Sequence, residues 1–380
     1  MLLDLKKDFS RFLGMAPDRL HFAAHSHHYW PDVTFEAQQQ AWMDAALLAD
    51  KKWGKIFGEV MPAVRQGIAK RLHLPNPETI CFAVNTHEFV MRIFSCFPSE
   101  KKIKILTTDA EFYSFRRQVQ RYAEENLVDV TIVPAEPFDT FSERFKTALN
   151  KEYDLVYFSQ VFFNSGYVVT DFSKIVSGIT SQETIVVIDG YHGFMAVPTD
   201  LSSVHERVFY MGGGYKYAMS GEGACFMHCP DRYGPRPRNT GWFAEMDSLA
   251  TQKTGKVDYE QSGARFFGAT MEPVGLYRMR AVFDWLEGRH ISVEDIRAHV
   301  VRLQEKFLEN TTLKGLMINE THKRGNFLTF KINDAATLQK KLFDHHIITD
   351  NRGDRLRFGF GIYHDDADID RLIGRMKDMK

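Results

Sequence analysis

Asp189, His192 and Lys216 are the residues of this sequence whose types and spacing can do chemistry. Asp189 closes an uninterrupted apolar run, residues 185–188, a pattern that predicts a strand buried on both faces. A carboxylate at such a strand end needs a partner, because burying an unpaired charge is costly. His192 follows three residues on. A second apolar run, residues 208–211, ends in Gly212-Gly213-Gly214 and leads into Tyr215-Lys216. A third run, residues 224–227, follows Gly221 and Gly223. In an open α/β sheet, ligands bind beyond the carboxyl ends of the strands. A lysine amine there can form a Schiff base with an aldehyde, and an aspartate can keep a pyridine nitrogen protonated. Those are the two things pyridoxal phosphate requires of a protein. Taken singly, each residue also has a plainer reading: a solvated lysine, or an aspartate that caps a helix or forms a turn. Their order along the chain carries the chemistry.

The elements that must position these residues follow from hydrophobic spacing. Residues 2–14 read as a short amphipathic helix, and residues 33–73 as long helices broken near Gly54 to Gly58 and at Pro62. Residues 80–84 form a short strand. Asn85-Thr86 then opens a helix whose apolar face is Val90, Ile93, Phe94 and Phe97. A helix N-terminus favours an anion, although Asn85-x-x-Glu88 also nearly makes a capping box. Further strands are expected at 103–107, 127–134 and 154–159, with a helix over 139–150. Long loops are expected over 230–263, two helices between 272 and 313, a strand at 326–332, a helix at 335–345 and a strand at 347–349. His25, His27 and His28 have neither helical nor zinc-site spacing, so a polar loop over Tyr29-Trp30 competes with any ligand role.

Composition sets bounds. The chain has 380 residues, 44% hydrophobic and 26% charged, enough for a sizeable core and two domains. A formal net charge of −1 draws it to neither nucleic acid nor membrane. The four cysteines, Cys81, Cys96, Cys225 and Cys229, suit a reducing cytoplasm, with buried thiols as the default. No run reaches membrane-spanning length, and neither a dinucleotide fingerprint nor a Walker loop is present.

The Asp189-x-x-His192 and Tyr215-Lys216 pairs resemble those of the fold-type I pyridoxal-phosphate enzymes, in the class V aminotransferase group, and most of all the kynureninases. The resemblance implies a large, mostly parallel α/β sheet domain over 55–264. It implies a smaller α+β domain formed by residues 1–54 and 265–380. It implies a catalytic Lys216 carrying the cofactor, Asp189 on the pyridine nitrogen, His192 near the ring, and Tyr215 holding the phosphate or relaying a proton. Asn85 and Thr86 would receive the phosphate, Phe112 would stack on the ring and Gln160 would touch the ring oxygen. Phe112 could equally be a core residue with Phe115. Gly241-Trp242-Phe243 and Thr270 resemble segments that reach a partner subunit's phosphate, which implies a homodimer with shared sites. His25 and Ser26 would face the substrate. Arg357, followed by Tyr363 and an acidic helix, would grip the substrate carboxylate bidentately, although an arginine in a strand is more often a surface residue. The implied reaction is hydrolytic Cβ–Cγ cleavage of kynurenine or a related aryl ketone amino acid, with transamination as the alternative and cysteine desulfuration a weaker one. Phe115, Asn164 and Thr270 depart from the kynureninase pattern where such an enzyme would read its substrate.

Overall fold

A computed structural model describes residues 3–231, 233–251 and 255–379. After a two-residue strand β1 (Leu20–His21), seven strands build the main sheet: β2 (Ile80–Ala83), β3 (Ile103–Thr108), β4 (Val128–Val133), β5 (Leu155–Ser159), β6 (Ile185–Asp189), β7 (Val208–Gly213) and β8 (Cys225–His228). Their spatial order is β2-β8-β7-β6-β5-β3-β4. Strands β3 to β7 are parallel, and β8 runs antiparallel to both of its neighbours. β2 therefore points the same way as β7. Every residue of β5, β6 and β7 is buried, which is why these runs are apolar throughout rather than alternating.

The helices are α1 (Ser10–Gly14), α2 (Val33–Leu48), α3 (Lys52–Lys55), α4 (Met61–Leu72), α5 (Thr86–Phe94), α6 (Tyr113–Glu124), α7 (Phe141–Ala148), α8 (Phe172–Ser177), α9 (Val274–Gly288), α10 (Val293–Asn310), α11 (Ala335–Asp344) and α12 (Asp366–Asp378). The break expected near Gly54 to Gly58 and at Pro62 is a π turn, Ile56–Val60, between α3 and α4, and a further break lies earlier. Ala49, at φ +49°, ends α2. Pro62 sits in the first turn of α4, where its missing N–H costs nothing. The helix expected over 2–14 is a 3₁₀ turn, Lys6–Phe9, running into α1, with Leu2 outside the described residues. The segment read as loops over 230–263 contains 3₁₀ turns at Trp242–Thr251 and from Gly263.

A second, smaller sheet pairs β11 (Asp350–Arg352), β12 (Arg355–Gly359) and β9 (Phe327–Lys331), all antiparallel, while β10 (Ile347–Ile348) pairs in parallel with β1. Its core joins Leu20 and Phe22 from the chain start to Val300, Leu303, Phe307, Leu328, Leu356, Phe358 and Leu372. Helix α9 instead buries Leu276, Met279, Val282 and Leu286 in the larger core. Chain start and chain end thus fold together, and this brings residues 23–30 over the main sheet. Capping boxes fix the starts of α10 (Ser292 with Asp295) and α12 (Asp365 with Asp368).

Candidate active site

The carboxyl ends of β2, β3, β5, β6 and β7 open on one edge of the sheet, and the chain turns there into the segments that carry the candidate residues. Asp189 is the last residue of β6 and pairs in register with Ser159 of β5 and Met211 of β7. Its carboxylate is buried. Oδ1 accepts the Tyr191 N–H at 3.0 Å and Oδ2 accepts the Tyr157 hydroxyl at 3.1 Å. Burial pushes its pKa above the ordinary value, opposed by those two hydrogen bonds and the Lys216 ammonium. A stacked aromatic holds Tyr157 in place: Phe115 lies on it at 3.6 Å and 4°.

Lys216 follows the glycines of β7. Its ammonium donates to the His25 carbonyl at 2.8 Å and lies 5.8 Å from the centroid of the Phe112 ring. Burial and the neighbouring Arg357 lower its pKa to about 7. An amine so depressed is part neutral at physiological pH and can act as nucleophile and base. The glycines before it are required by packing. A Cβ on Gly213 would come within 2.7 Å of the Tyr191 hydroxyl, and one on Gly214 within 2.3 Å of Ser220 Oγ.

Two neutral imidazoles flank the lysine. His192 and His25 are buried and both lie beside the Phe327 ring, at 5.6 and 4.7 Å. His192 Nδ1 and both nitrogens of His25 lack hydrogen-bond partners. Burial, then nearby cations, depress both imidazoles well below the usual histidine range. Arg357 is buried, its Nη1 donating to the Phe163 carbonyl and its Nη2 to Asp350 Oδ2 at 2.5 Å, while Nε has no partner.

The other expected residues are placed as follows. Phe112 is the N-cap residue of α6 and packs edge-on against Phe163 at 5.4 Å. Thr86 is the first residue of α5, and its amide faces the Cys225 sulfur. The Asn85 side chain accepts the Glu88 N–H at 3.1 Å, so it caps the helix. Gln160 has its amide engaged by neighbours of the sheet. Its Oε1 accepts the Tyr210 hydroxyl and its Nε2 donates to Thr199, both at 2.8 Å. Tyr215 is half-buried with its ring 5.7 Å from His27, and Ser26 is half-buried in the turn after Ala23. Trp242, 45% exposed, and Thr270 lie at the surface.

Two acids escaped the sequence reading. Glu111, 1% exposed, accepts hydrogen bonds from Thr108 at 2.5 Å and Ser159 at 2.6 Å. Burial raises its pKa to about 8, and the Asp189 charge adds to the rise. The only local signal was an acid just before Phe112. Asp350 faces Arg357 across the β11–β12 hairpin. Its signal was Gly353-Asp354, a two-residue turn that sets this register.

These features fit pyridoxal phosphate. A buried carboxylate, a lysine of depressed pKa, an aromatic face and orphaned imidazole nitrogens surround one position. No cluster of three or more metal-ligating side chains occurs among the described residues, and no described helix is long and apolar enough to cross a membrane.

No curated protein matches the sequence significantly. Several solved structures share the fold. C-DES, in a lysine-to-alanine mutant with glycine covalently linked to its PLP cofactor, superposes with a TM-score of 0.83 at 18% identity, covering 98% of this chain and 99% of that one. The cystine C–S lyase C-DES with its product cysteine persulfide gives 0.80 at 18%, covering 97% and 99%. An apo cysteine desulfurase from Thermococcus onnurineus gives 0.81 at 14%, covering 98% and 97%. At such identities the likeness establishes the fold, and these neighbours are desulfurases and a C–S lyase rather than kynureninases. The aminotransferase class-V family matches residues 36–372, so the chain belongs to the class-V aminotransferases, pyridoxal-phosphate enzymes of the α/β fold-type I class.

Proposed function

We propose that this enzyme binds an α-amino acid by its carboxylate at Arg357 and moves the Cα proton with Lys216, in a transamination. The observation that supports this reading is the convergence of Lys216, depressed to about 7, with Asp189, Phe112 and Arg357 on one sheet edge. Pyridoxal phosphate, when bound, supplies the aldehyde for the amine and the electron sink that acidifies Cα–H. Asp189 would hold the pyridine nitrogen, with Tyr157 and the Tyr191 amide fixing its orientation. Lys216, as a neutral amine, would take the proton from Cα of the amino acid and hold it at Nζ. Thr86, at the start of α5, would take the phosphate.

A second reading is hydrolytic cleavage of an aryl ketone amino acid such as kynurenine. The aromatic wall of Phe112, Tyr113 and Phe163, with ring centroids 5.4–5.5 Å apart, favours it. The cysteines argue against desulfuration through a protein persulfide. All four cysteines are buried, and burial raises the Cys225 thiol to about 12, whereas sulfur acceptance needs an accessible thiolate.

Two copies are inferred to complete the sites. Trp42 (70% exposed), Met43 and Leu47 leave the face of α2 apolar. Trp42, Trp53 and Thr270 line one groove, and Phe243, next to Trp242, packs 6.0 Å from Trp53. The test offers the holoenzyme a panel of amino donors and, separately, kynurenine. Keto acid formation lost in Lys216→Ala supports transamination. Anthranilate fluorescence and alanine transfer the assignment to hydrolysis. Neither product from a protein that binds the cofactor refutes both.

A further inference from the structure

Asp350 is an acid that the reading above leaves without a task. It stands on β11 directly opposite Arg357 on β12. Its Oδ1 accepts from Arg352 at 2.6 Å. Its Oδ2 is shared: Arg357 Nη2 donates to it at 2.5 Å, and His25 Nε2 lies 3.8 Å away, too far for a hydrogen bond. The imidazole is held in that direction. It stacks on Phe327 at 23°, and its Nδ1 abuts Gly359, where a Cβ would come within 2.2 Å. Neither nitrogen has a partner, and the side chain is fully buried. One carboxylate oxygen thus lies between the arginine that would receive the substrate and a histidine beside Lys216.

We propose that Asp350 is a displaceable partner of Arg357, and that a substrate carboxylate binding to Arg357 releases Asp350 to pair with His25, so that His25 becomes charged only when substrate is bound. This rests on the reading that Arg357 receives the carboxylate. The balance is simple. One carboxylate enters, the Arg357–Asp350 bond is exchanged for Arg357–carboxylate, and His25 takes one proton from solvent, held as Nε2–H on Asp350.

The surrounding charges make the exchange directional. The groups facing His25 are Arg357 on β12, Asp350 and Arg352 on β11, His192 beyond β6 and Lys216 beyond β7. Four of these five are cations or imidazoles, and with burial they keep His25 neutral while Arg357 occupies Asp350. An incoming anion offsets the arginine, and Asp350 then favours the imidazolium.

The experiment uses holoenzyme labelled with ¹⁵N-histidine and 3-phenylpropionate, a carboxylate with no amine to react. The His25 imidazole is assigned by its loss in His25→Gln. The expected result is that saturating probe moves the His25 titration upward by at least one pH unit, a tenfold change in proton affinity, and that Asp350→Asn abolishes the shift while still binding the probe. A His25 titration that the probe shifts equally in Asp350→Asn makes Asp350 a brace for Arg357 only and overturns the proposal. Probe binding that depends on Arg357 with an unmoved His25 overturns this inference alone. Failure of the probe to bind overturns the Arg357 reading with it.

Discussion

Acid should dismantle the junction that delivers His25 to Lys216. Three buried histidines, His28, His299 and His364, lie where the N-terminal segment meets the C-terminal part of the chain. Two of them use both ring nitrogens in backbone bonds. His364 Nδ1 accepts the Gly361 N–H at 3.0 Å while Nε2 donates to the His21 carbonyl at 2.8 Å. His299 Nδ1 accepts the Leu3 N–H at 3.2 Å while Nε2 donates to the His364 carbonyl at 3.0 Å. Each Nδ1 must therefore be unprotonated. Burial lowers His299 and His364 to about 4 and His28 to about 3, from an ordinary 6.5. The native state binds fewer protons than the unfolded chain in this range. The stability is fully present above pH 6.5 and is lost as pH falls from 6.5 towards the native values. Each group costs about 1.4 kcal/mol per pH unit, so pH 5 removes about 2 kcal/mol per histidine and about 6 for the three. That approaches the total stability of about 5–15 kcal/mol typical of a domain. Asp368, lowered to about 2, adds nothing until pH drops below 3.8. Urea unfolding of the holoenzyme should show little change from pH 7.5 to 6.5 and then, down to pH 5, a loss to which these three contribute about 4 kcal/mol per pH unit, beside the shares of His21, His25, His192 and His228, which burial also lowers. His364→Phe, which keeps the stack on Phe22, should be weaker at pH 7.5 yet lose about 1.4 kcal/mol of that slope. A slope unchanged by this substitution would refute the reasoning.

Glu111→Gln should act in the opposite pH direction. A raised acid pKa means stability complete below about 4.5 and lost as pH rises to about 8, so the variant gains on the order of 3 kcal/mol at pH 7 and little at pH 5; equal melting temperatures at both pH values would contradict this. Phe115→Ala should cost about 3–5 kcal/mol, because Phe115 is buried and stacked on Tyr157, and should weaken cofactor affinity by loosening the Tyr157–Asp189 bond; equilibrium dialysis alongside thermal melts separates the two effects. Lys216→Ala should abolish turnover while retaining cofactor in the site, read as protein-bound cofactor after gel filtration. Trp42→Glu should shift the protein towards monomer in analytical ultracentrifugation and lower activity, and an unchanged sedimentation profile would sink the shared-site reading.

The main sheet was legible because its central strands are buried on both faces. Residues 185–188 and 208–211 could be read as strands without any partner in view, and each ended on a residue of chemical consequence. Helix α5 was legible for a related reason, since its cap and its apolar face are both local signals. What the sequence could not convey was direction. Gln160 lies one position beyond β5 and seemed free to face the cofactor. In the fold its amide is consumed by Tyr210 and Thr199, two residues whose proximity depends on how β7 packs beside β6. Asn85 was equally ambiguous between capping and anion binding, and the backbone geometry resolves its side chain to the cap.

Glu111 and Asp350 were invisible for a different reason. An acid in a polar stretch reads as surface, and only burial turns it into chemistry. Glu111 is drawn inward because Thr108 and Ser159 offer it hydroxyls at the ends of β3 and β5. Its neutrality lets Asp189 remain the one carboxylate charge at that sheet edge. Phe115 fits the same arrangement. A charge at that position, stacked on Tyr157, would oppose Asp189 across a single ring. An aromatic there instead stiffens the tyrosine that Asp189 depends on. The departure from the kynureninase pattern at 115 and the buried Glu111 are thus two parts of one solution, in which this chain keeps a single negative charge where the pyridine nitrogen would sit.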